Sequence, residues 1–124
     1  MCIHKILIVE DEGITALDLK VQLCALGFEV TGVVATGAQA VASVEANPPD
    51  MVLMDIILKG EMDGIDAAQR IRRQSPVPLI YLTAVADEAI AHRARATRPH
   101  AYLRKPFDFT ELRSNLESVC SLAC

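Results

Sequence analysis

The 124-residue sequence has no Trp, and only two Tyr and three Phe, so its core must be built mainly from aliphatic side chains. It also lacks a basic surplus, because 12 Lys and Arg stand against 16 Asp and Glu, for a formal net charge of −4. Nucleic-acid-binding domains usually carry such a surplus, so we expect no direct contact with nucleic acid. The length fits one domain, and we expect residues 1–124 to form it.

The sequence lacks a CxxC pair, a signal peptide and any apolar run long enough to cross a bilayer. Its four cysteines are Cys2, Cys24, Cys120 and Cys124, and no His cluster accompanies them, so a thiolate metal site is not expected. We therefore expect a cytoplasmic protein with no membrane partner. Its cysteines should stay reduced, and Cys24 and Cys120 are predicted to face the core.

Short apolar runs alternate with helical patterns along the whole chain. Runs typical of strands covered on both faces occupy residues 6–9, 28–35, 51–54, 79–82 and 101–103. Capping residues and helical spacing predict helices over residues 13–26, 36–47, 64–74, 87–97 and from 108 onward. This alternation predicts an α/β fold, with a five-stranded parallel sheet between two layers of helices.

The first predicted helix carries Ile14, Leu17, Val21 and Cys24 at helical spacing, and Gly27 follows it as a stop signal. This spacing predicts that these four side chains form the face that packs on the sheet.

Polar residues stand where the apolar runs end. Glu10 and Asp11 follow the first strand, Asp55 follows the third, Thr83 follows the fourth, and Lys105 lies just after the fifth. Binding sites of doubly wound sheets lie at the carboxyl ends of the strands, so these side chains are expected to converge on one edge.

Such a cluster suits phosphoryl transfer onto a carboxylate. Glu10, Asp11 and Asp55 cannot all ionise comfortably in one pocket without compensation. A hard cation such as Mg²⁺ prefers carboxylate and phosphate oxygens, and Lys105 adds a second positive charge. The sequence therefore predicts that Asp55 is a nucleophile, with Mg²⁺, Lys105 and Thr83 stabilising the transferring oxygens.

The chain resembles the receiver domains of two-component response regulators, the CheY-like family. The resemblance lies in four stretches in the same order, at residues 5–12, 54–55, 82–84 and 102–107. It implies a doubly wound (βα)5 flavodoxin-like sandwich of three layers. It also implies that a histidine kinase or phosphotransfer protein phosphorylates Asp55 from a phosphohistidine.

The resemblance assigns further roles. Glu10, Asp11, Asp55 and the main-chain carbonyl of Ile57 would hold Mg²⁺. Thr83 and Tyr102 would form the switch, and Lys105 would bind the phosphate. Family members usually have a cis bond before the matching proline, so Lys105-Pro106 is a candidate.

The resemblance also indicates what the chain contacts. An output domain or target protein, or a second copy in a homodimer, would bind the face made by the fourth helix, fifth strand and fifth helix. Arginines gather there, at Arg93, Arg95, Arg98, Arg104 and Arg113. Beyond catalysing its own phosphorylation and dephosphorylation, the domain is not expected to be an enzyme.

Three alternatives use a similar architecture. A Mg²⁺-dependent phosphatase of the haloacid dehalogenase type needs a second acid two residues after the nucleophile, where this chain has Ile57. A flavodoxin-like flavin binder would want a phosphate-cradling loop after the first strand, where this chain has Glu10 and Asp11. A docking module that works without phosphorylation would be expected to lack part of the acidic cluster.

Overall fold

The computed structural model describes residues 4–84 and 87–123, with side chains as far as residue 119. Strands and helices alternate within it, as predicted, and their ends lie within one or two residues of the predicted ones. The strands are β1 (Lys5–Val9), β2 (Glu29–Val34), β3 (Met51–Met54), β4 (Leu79–Thr83) and β5 (Ala101–Arg104).

The helices connect successive strands. They are α1 (Gly13–Ala25), α2 (Gly37–Ala46), α3 (Gly64–Gln74), α4 (Glu88–Ala96) and α5 (Phe109–Ala123). Within residues 4–84 and 87–123, none of the helices is both long and apolar enough to cross a bilayer.

The five strands form one parallel sheet in the order β2-β1-β3-β4-β5, which confirms the predicted doubly wound architecture. The chain leaves β1 for β2 on one side and returns to β3 on the other. The crevice between the carboxyl ends of β1 and β3 is therefore the switch point, where sites of such sheets form.

Successive side chains of each strand point to opposite faces of the sheet, and helices cover both faces. Leu7 and Val9 point into a core with α2, α3 and α4. Ile6 and Ile8 point into a second core with α1 and α5. The inner strands β1, β3 and β4 are buried on both sides, which leaves their ends as the places for polar chemistry.

Several helix starts are fixed by the capping residues that the sequence predicts. Thr36 and Gln39 form a capping box at α2, and Asp63 does so with Asp66 at α3. Asp87 accepts main-chain N–H groups at the start of α4. These caps satisfy N–H groups that a helix leaves without partners in its first turn.

The predicted inner face of α1 is wrong. Ala16, Leu19 and Leu23 are the buried residues, whereas Ile14 is 82% exposed and Leu17 and Val21 are also exposed. A second stripe displaced by two residues lies about 200° around the helix, so α1 is apolar on opposite sides. Cys24 lies on the outer stripe and is exposed, against the prediction, and the side chain of Cys120 lies outside the described residues.

Candidate functional site

Three carboxylates meet at the carboxyl ends of β1 and β3. Val9 pairs with Met54 across these two strands, so Glu10 and Asp55 emerge side by side. Oxygens of Glu10, Asp11 and Asp55 all lie within 4.8 Å of one another. Glu10 is 4% exposed and Asp55 8% exposed, whereas Asp11 is half-buried. We call these three residues the acidic cluster.

The ammonium of Lys105 reaches into the acidic cluster. Its Nζ donates to Glu10 Oε1 at 2.5 Å and to Asp55 Oδ2 at 3.2 Å. Its main-chain N–H donates to the carbonyl of Thr83 at 2.8 Å, which fixes the loop after β5 against the end of β4. The Lys105-Pro106 peptide bond in this loop is cis, as predicted.

The charges of Lys105 and Glu10 depend on each other. Burial lowers the pKa of Lys105, but its hydrogen bond to Glu10 and the charge of Asp55 outweigh burial and raise that pKa above its usual value. For Glu10, burial and the charge of Asp55 raise the pKa above its usual value, although the Lys105 hydrogen bond opposes them. One ammonium therefore does not fully compensate three carboxylates.

The chemistry of the acidic cluster fits a hard divalent cation. It offers three carboxylate oxygens within a few ångströms, and Mg²⁺ selects oxygen ligands. Burial and the charge of Asp55 both raise the pKa of Glu10, and a cation between the two carboxylates would relieve their mutual repulsion. Glu10, Asp11 and Asp55 are thus able to hold a metal ion.

Asp55 is held rigidly by the main chain around it. Its N–H donates to the carbonyl of Val9 at 2.9 Å, and its Oδ1 accepts the N–H of Ile56 at 2.7 Å. Gly64 lies against the main chain of Asp55, where an added Cβ would lie 2.0 Å from the Asp55 carbonyl oxygen. Only glycine permits α3 to start this close to the acidic cluster.

The other predicted site residues lie around this pocket. Thr83 is fully buried at the end of β4. Met54 pairs with Tyr81 across β3 and β4, so continued pairing would place Asp55 opposite Leu82, and Thr83 is the next residue along β4. Ile57 follows Asp55 in the loop after β3, with an exposed side chain. Tyr102 lies on β5, one strand further out, and is half-buried against the core under α4.

Sequence reasoning missed the packing roles of two residues. Gly64 follows Asp63 at the start of α3, and an Asp-Gly pair before a helix is a signal for a close turn. Tyr81 is fully buried in β4, where its hydroxyl bonds to Thr97. A Tyr within an otherwise apolar strand indicates such a partner, because a buried hydroxyl needs one.

Relatives of known type match most of the chain. A model of the family described as the response regulator receiver domain matches residues 6–117. The transcriptional regulatory protein PdtaR of Mycobacterium tuberculosis is 37% identical over 118 residues, which are 95% of this chain and 57% of that protein. The DNA-binding response regulator MtrA of Mycolicibacterium smegmatis is 37% identical over 88% of this chain and 47% of its own length. The chain thus spans about half the length of these relatives.

Solved structures give the same result. The signal receiver domain of a modulated diguanylate cyclase from Desulfovibrio desulfuricans superposes with a TM-score of 0.90 and 34% identity, over 97% of this chain and 95% of that one. The receiver domain of a sensor histidine kinase from Pseudomonas aeruginosa has a magnesium ion coordinated in its active site cleft. It superposes with a TM-score of 0.86 and 36% identity, over 95% of this chain and 98% of that one.

The phosphatase alternative finds no support, because the matches are to receivers and Ile57 stands where its second acid would be. Flavin binding gains none either, since carboxylates occupy the place of a phosphate cradle. With the family match over residues 6–117 and the geometry above, the chain belongs to the response regulator receiver domain family of two-component signal transduction.

Proposed function

We propose that Asp55 accepts a phosphoryl group from a phosphohistidine of a partner protein. The observation that carries this proposal is the Lys105 ammonium within hydrogen-bond reach of Asp55, beside two further carboxylates. Asp55 Oδ1 is engaged by the N–H of Ile56, so Oδ2, which faces Lys105, is the attacking oxygen. The new O–P bond forms as the P–N bond of the donor breaks, and the electron pair of that bond stays on the imidazole nitrogen.

The groups around Asp55 have separate tasks in this transfer. Lys105 exchanges its contact with Asp55 for one with the phosphoryl oxygens, where its fixed charge stabilises them. Mg²⁺ would be held by Glu10, Asp11, Asp55 and the carbonyl of Ile57, and it would supply positive charge near the transferring oxygens. The rigid hold on Asp55 keeps its carboxylate in place without a reorganisation cost at the moment of transfer.

Phosphorylation then acts as a switch through Thr83 and Tyr102. It adds about −1.5 to −2 charges and new acceptor oxygens at the edge of the sheet where the buried Thr83 ends β4. One charge-assisted hydrogen bond contributes about 1.5–3 kcal/mol, whereas shifting an equilibrium from 1:99 to 99:1 needs about 5.5 kcal/mol. Thr83 and Lys105 must therefore act together, with Tyr102 moving into the space that Thr83 leaves.

The family and the exposed faces of the chain indicate its partners. Receiver domains of response regulators work with histidine kinases and with output domains, and the relatives named above carry the domain in different contexts. A histidine kinase or phosphotransfer protein supplies the phosphohistidine. The face of α4, β5 and α5 contacts the output or a second copy. Arg95 and Arg104 are exposed on this face, and their positive charges act on the hydroxyl of Tyr102 by lowering its pKa against the effect of burial.

Phosphate uptake tests the proposal directly. The purified chain, incubated with labelled acetyl phosphate and Mg²⁺, should take up label, and Asp55→Asn should take up none. Chelation of Mg²⁺ with EDTA should reduce uptake in the unmodified chain by tenfold or more, a change of about 1.4 kcal/mol in the barrier.

The matched control is Asp50→Asn. Asp50 is also an aspartate next to β3, but it lies at the opposite edge of the sheet, where it accepts the N–H groups of His4 and Lys5. It should take up label like the unmodified chain. Label uptake by Asp55→Asn at the unmodified level would exclude Asp55 as the acceptor.

A further inference from the structure

A groove rich in arginine opens at the amino ends of β4 and β5, at the opposite edge of the sheet from the acidic cluster. Pro78 and His100, the residues just before these two strands, both line it. The groove has two adjoining parts of about 270 and 410 Å³, and Arg72 and Arg98 line both parts. We call its arginines, prolines and histidine the basic groove, which comprises Arg72, Arg73, Pro76, Pro78, Arg98 and His100.

Among the described residues, no carboxylate balances the positive charge of the basic groove. The residues that line its two parts include no Asp or Glu. Within residues 4–84 and 87–119, Arg72, Arg73 and Arg98 form no ion pair with an acidic side chain. Burial and the charge of Arg98 lower the pKa of Arg72, against the effect of Tyr81, so the two guanidinium groups repel each other. A bound anion would relieve this repulsion.

Helix ends explain only part of this charge. The carbonyls at the C-terminal end of α3 attract cations, which accounts for Arg72 and Arg73 in its last turn. Arg98 lies beyond α4, with a φ of 56°, in the left-handed region where glycine usually follows a helix. Arg72 donates to the carbonyls of Thr97 at 3.0 Å and Arg98 at 3.3 Å, which fixes this conformation. The exposed guanidinium of Arg98 thus lines the groove from a main chain that is held in place.

The two parts of the basic groove differ in chemistry. The smaller part contains Arg73 and is lined mostly by polar side chains. In the larger part, Pro76 and Pro78 give an apolar wall and His100 adds a flat ring. Guanidinium groups bind phosphates through paired N–H donors, and the planar bases of nucleotides stack on flat rings and guanidinium planes. A ligand with phosphates at one end and a planar base at the other therefore matches both parts.

We propose that the basic groove binds a nucleotide with two or more phosphates, with the phosphates between Arg73 and Arg98 and the base against the two prolines. Arg72 is a positioning residue, because its guanidinium is already bonded to main-chain carbonyls and holds the walls of the groove. An acidic peptide would satisfy the charge but brings no planar group for the larger part. The groove lies at the opposite edge of the sheet from Asp55, so this inference goes beyond the proposed function and does not depend on it.

Calorimetric titration of the full chain with ADP tests this proposal. EDTA is present, so that no divalent ion can link the phosphates of ADP to the acidic cluster. ADP should bind at least about tenfold more tightly than inorganic phosphate or adenosine, because only ADP fills both parts of the groove. Absence of ADP binding would overturn the proposal. Inorganic phosphate or a short polyglutamate peptide that binds as tightly as ADP would overturn it too.

Variants and NMR locate the ADP site. Arg73→Gln and Arg98→Gln should each weaken ADP binding by about tenfold, since each removes a charge-assisted hydrogen bond. Arg113→Gln is the matched control, because it removes the same charge from α5, on the other face of the sheet, and should bind ADP like the unmodified chain. Asp55→Asn should also bind ADP normally.

In the unmodified chain, ADP should shift the amide NMR signals of residues 72, 73, 98 and 100 and leave those of residues 10, 11 and 55 in place. Signal shifts centred on the acidic cluster would overturn the proposal. The same conclusion would follow if Arg113→Gln weakened ADP binding as much as the two groove variants.

Discussion

Two buried polar groupings among the described residues differ in kind. The acidic cluster places three carboxylates beside the one ammonium of Lys105, and it reaches the surface through half-buried residues. The second grouping, made of Arg72, Tyr81 and Thr97 and called the helix anchor, joins neutral hydroxyls and one guanidinium to main-chain carbonyls. In the acidic cluster, folding leaves repulsion that a cation or a phosphoryl group can alter. In the helix anchor the polar groups are hydrogen-bonded and carry no repulsion between like charges, so it stabilises one arrangement.

The largest loss of stability is expected at Gly64, whose close approach to the main chain of Asp55 supports the acidic cluster and not the helix anchor. Gly64→Ala would place a Cβ 2.0 Å from the Asp55 carbonyl oxygen, so α3 or β3 must shift. The free energy of unfolding should fall by about 3 kcal/mol, measured by urea denaturation. Gly13→Ala is the control, since an added Cβ there contacts nothing within 4 Å. Equal losses in both variants would mean that the close approach is not what costs stability.

Alkaline pH tests the helix anchor when Tyr81→Phe is compared with the unmodified chain, because the raised pKa of Lys105 acts equally in both. Burial raises the pKa of Tyr81 to about 12, from 10.0. The unfolded chain then loses this proton first, so stability is fully present below pH 10 and falls as the pH rises toward 12. The loss is about 2.7 kcal/mol for Tyr81 alone. In Tyr81→Phe the slope of unfolding free energy against pH should be shallower between pH 10 and 12; an unchanged slope would contradict the assignment.

Near neutral pH the acidic cluster should respond and the helix anchor should not. Lys105→Met leaves Glu10 and Asp55 without their ammonium, and the free energy of unfolding should fall by about 2 kcal/mol at pH 7. Burial already raises the pKa of Glu10, and losing Lys105 raises it further. A raised carboxyl pKa reduces stability as the pH rises through it, so Lys105→Met should be more stable at pH 5 than at pH 7.

Added Mg²⁺ sharpens this last comparison. It should restore part of the stability of Lys105→Met, measured as the melting temperature, because it replaces the missing positive charge. The exposed neighbour Arg104 supplies the control, since Arg104→Met should lose little and show no added response to Mg²⁺. If the melting temperature of Lys105→Met changes with neither Mg²⁺ nor pH, the carboxylates do not act as a charged group.

Much of the fold was predictable because it depends on local patterns. Apolar runs of strand length and capping residues such as Thr36 fix where elements begin and end. The acidic cluster was predictable because parallel strands bring Glu10 and Asp55 to one edge whatever the details of packing. Roles that need a bound ion or phosphate, such as that of the Ile57 carbonyl, stay predictions.

What could not be predicted depends on contacts through space. The stripes of α1 around Leu17 and Leu19 have the same period, so periodicity does not tell which one meets the sheet. The contact of Arg72 with Thr97 joins residues 25 apart, and nothing in the local sequence of either indicates it. Charged side chains on helices usually face water, which makes an Arg that binds carbonyls invisible to pattern reasoning.

The close approach of Gly64 to Asp55 also has a mechanical consequence. Where two stretches of backbone touch without side chains between them, there is no soft layer to absorb a displacement. The N–H of Gly64 is tied to the carbonyl of Ile56 at 2.7 Å, so the start of α3 is coupled stiffly to the residues around Asp55. We therefore expect a displacement of the backbone at residue 55 to move the start of α3 with it.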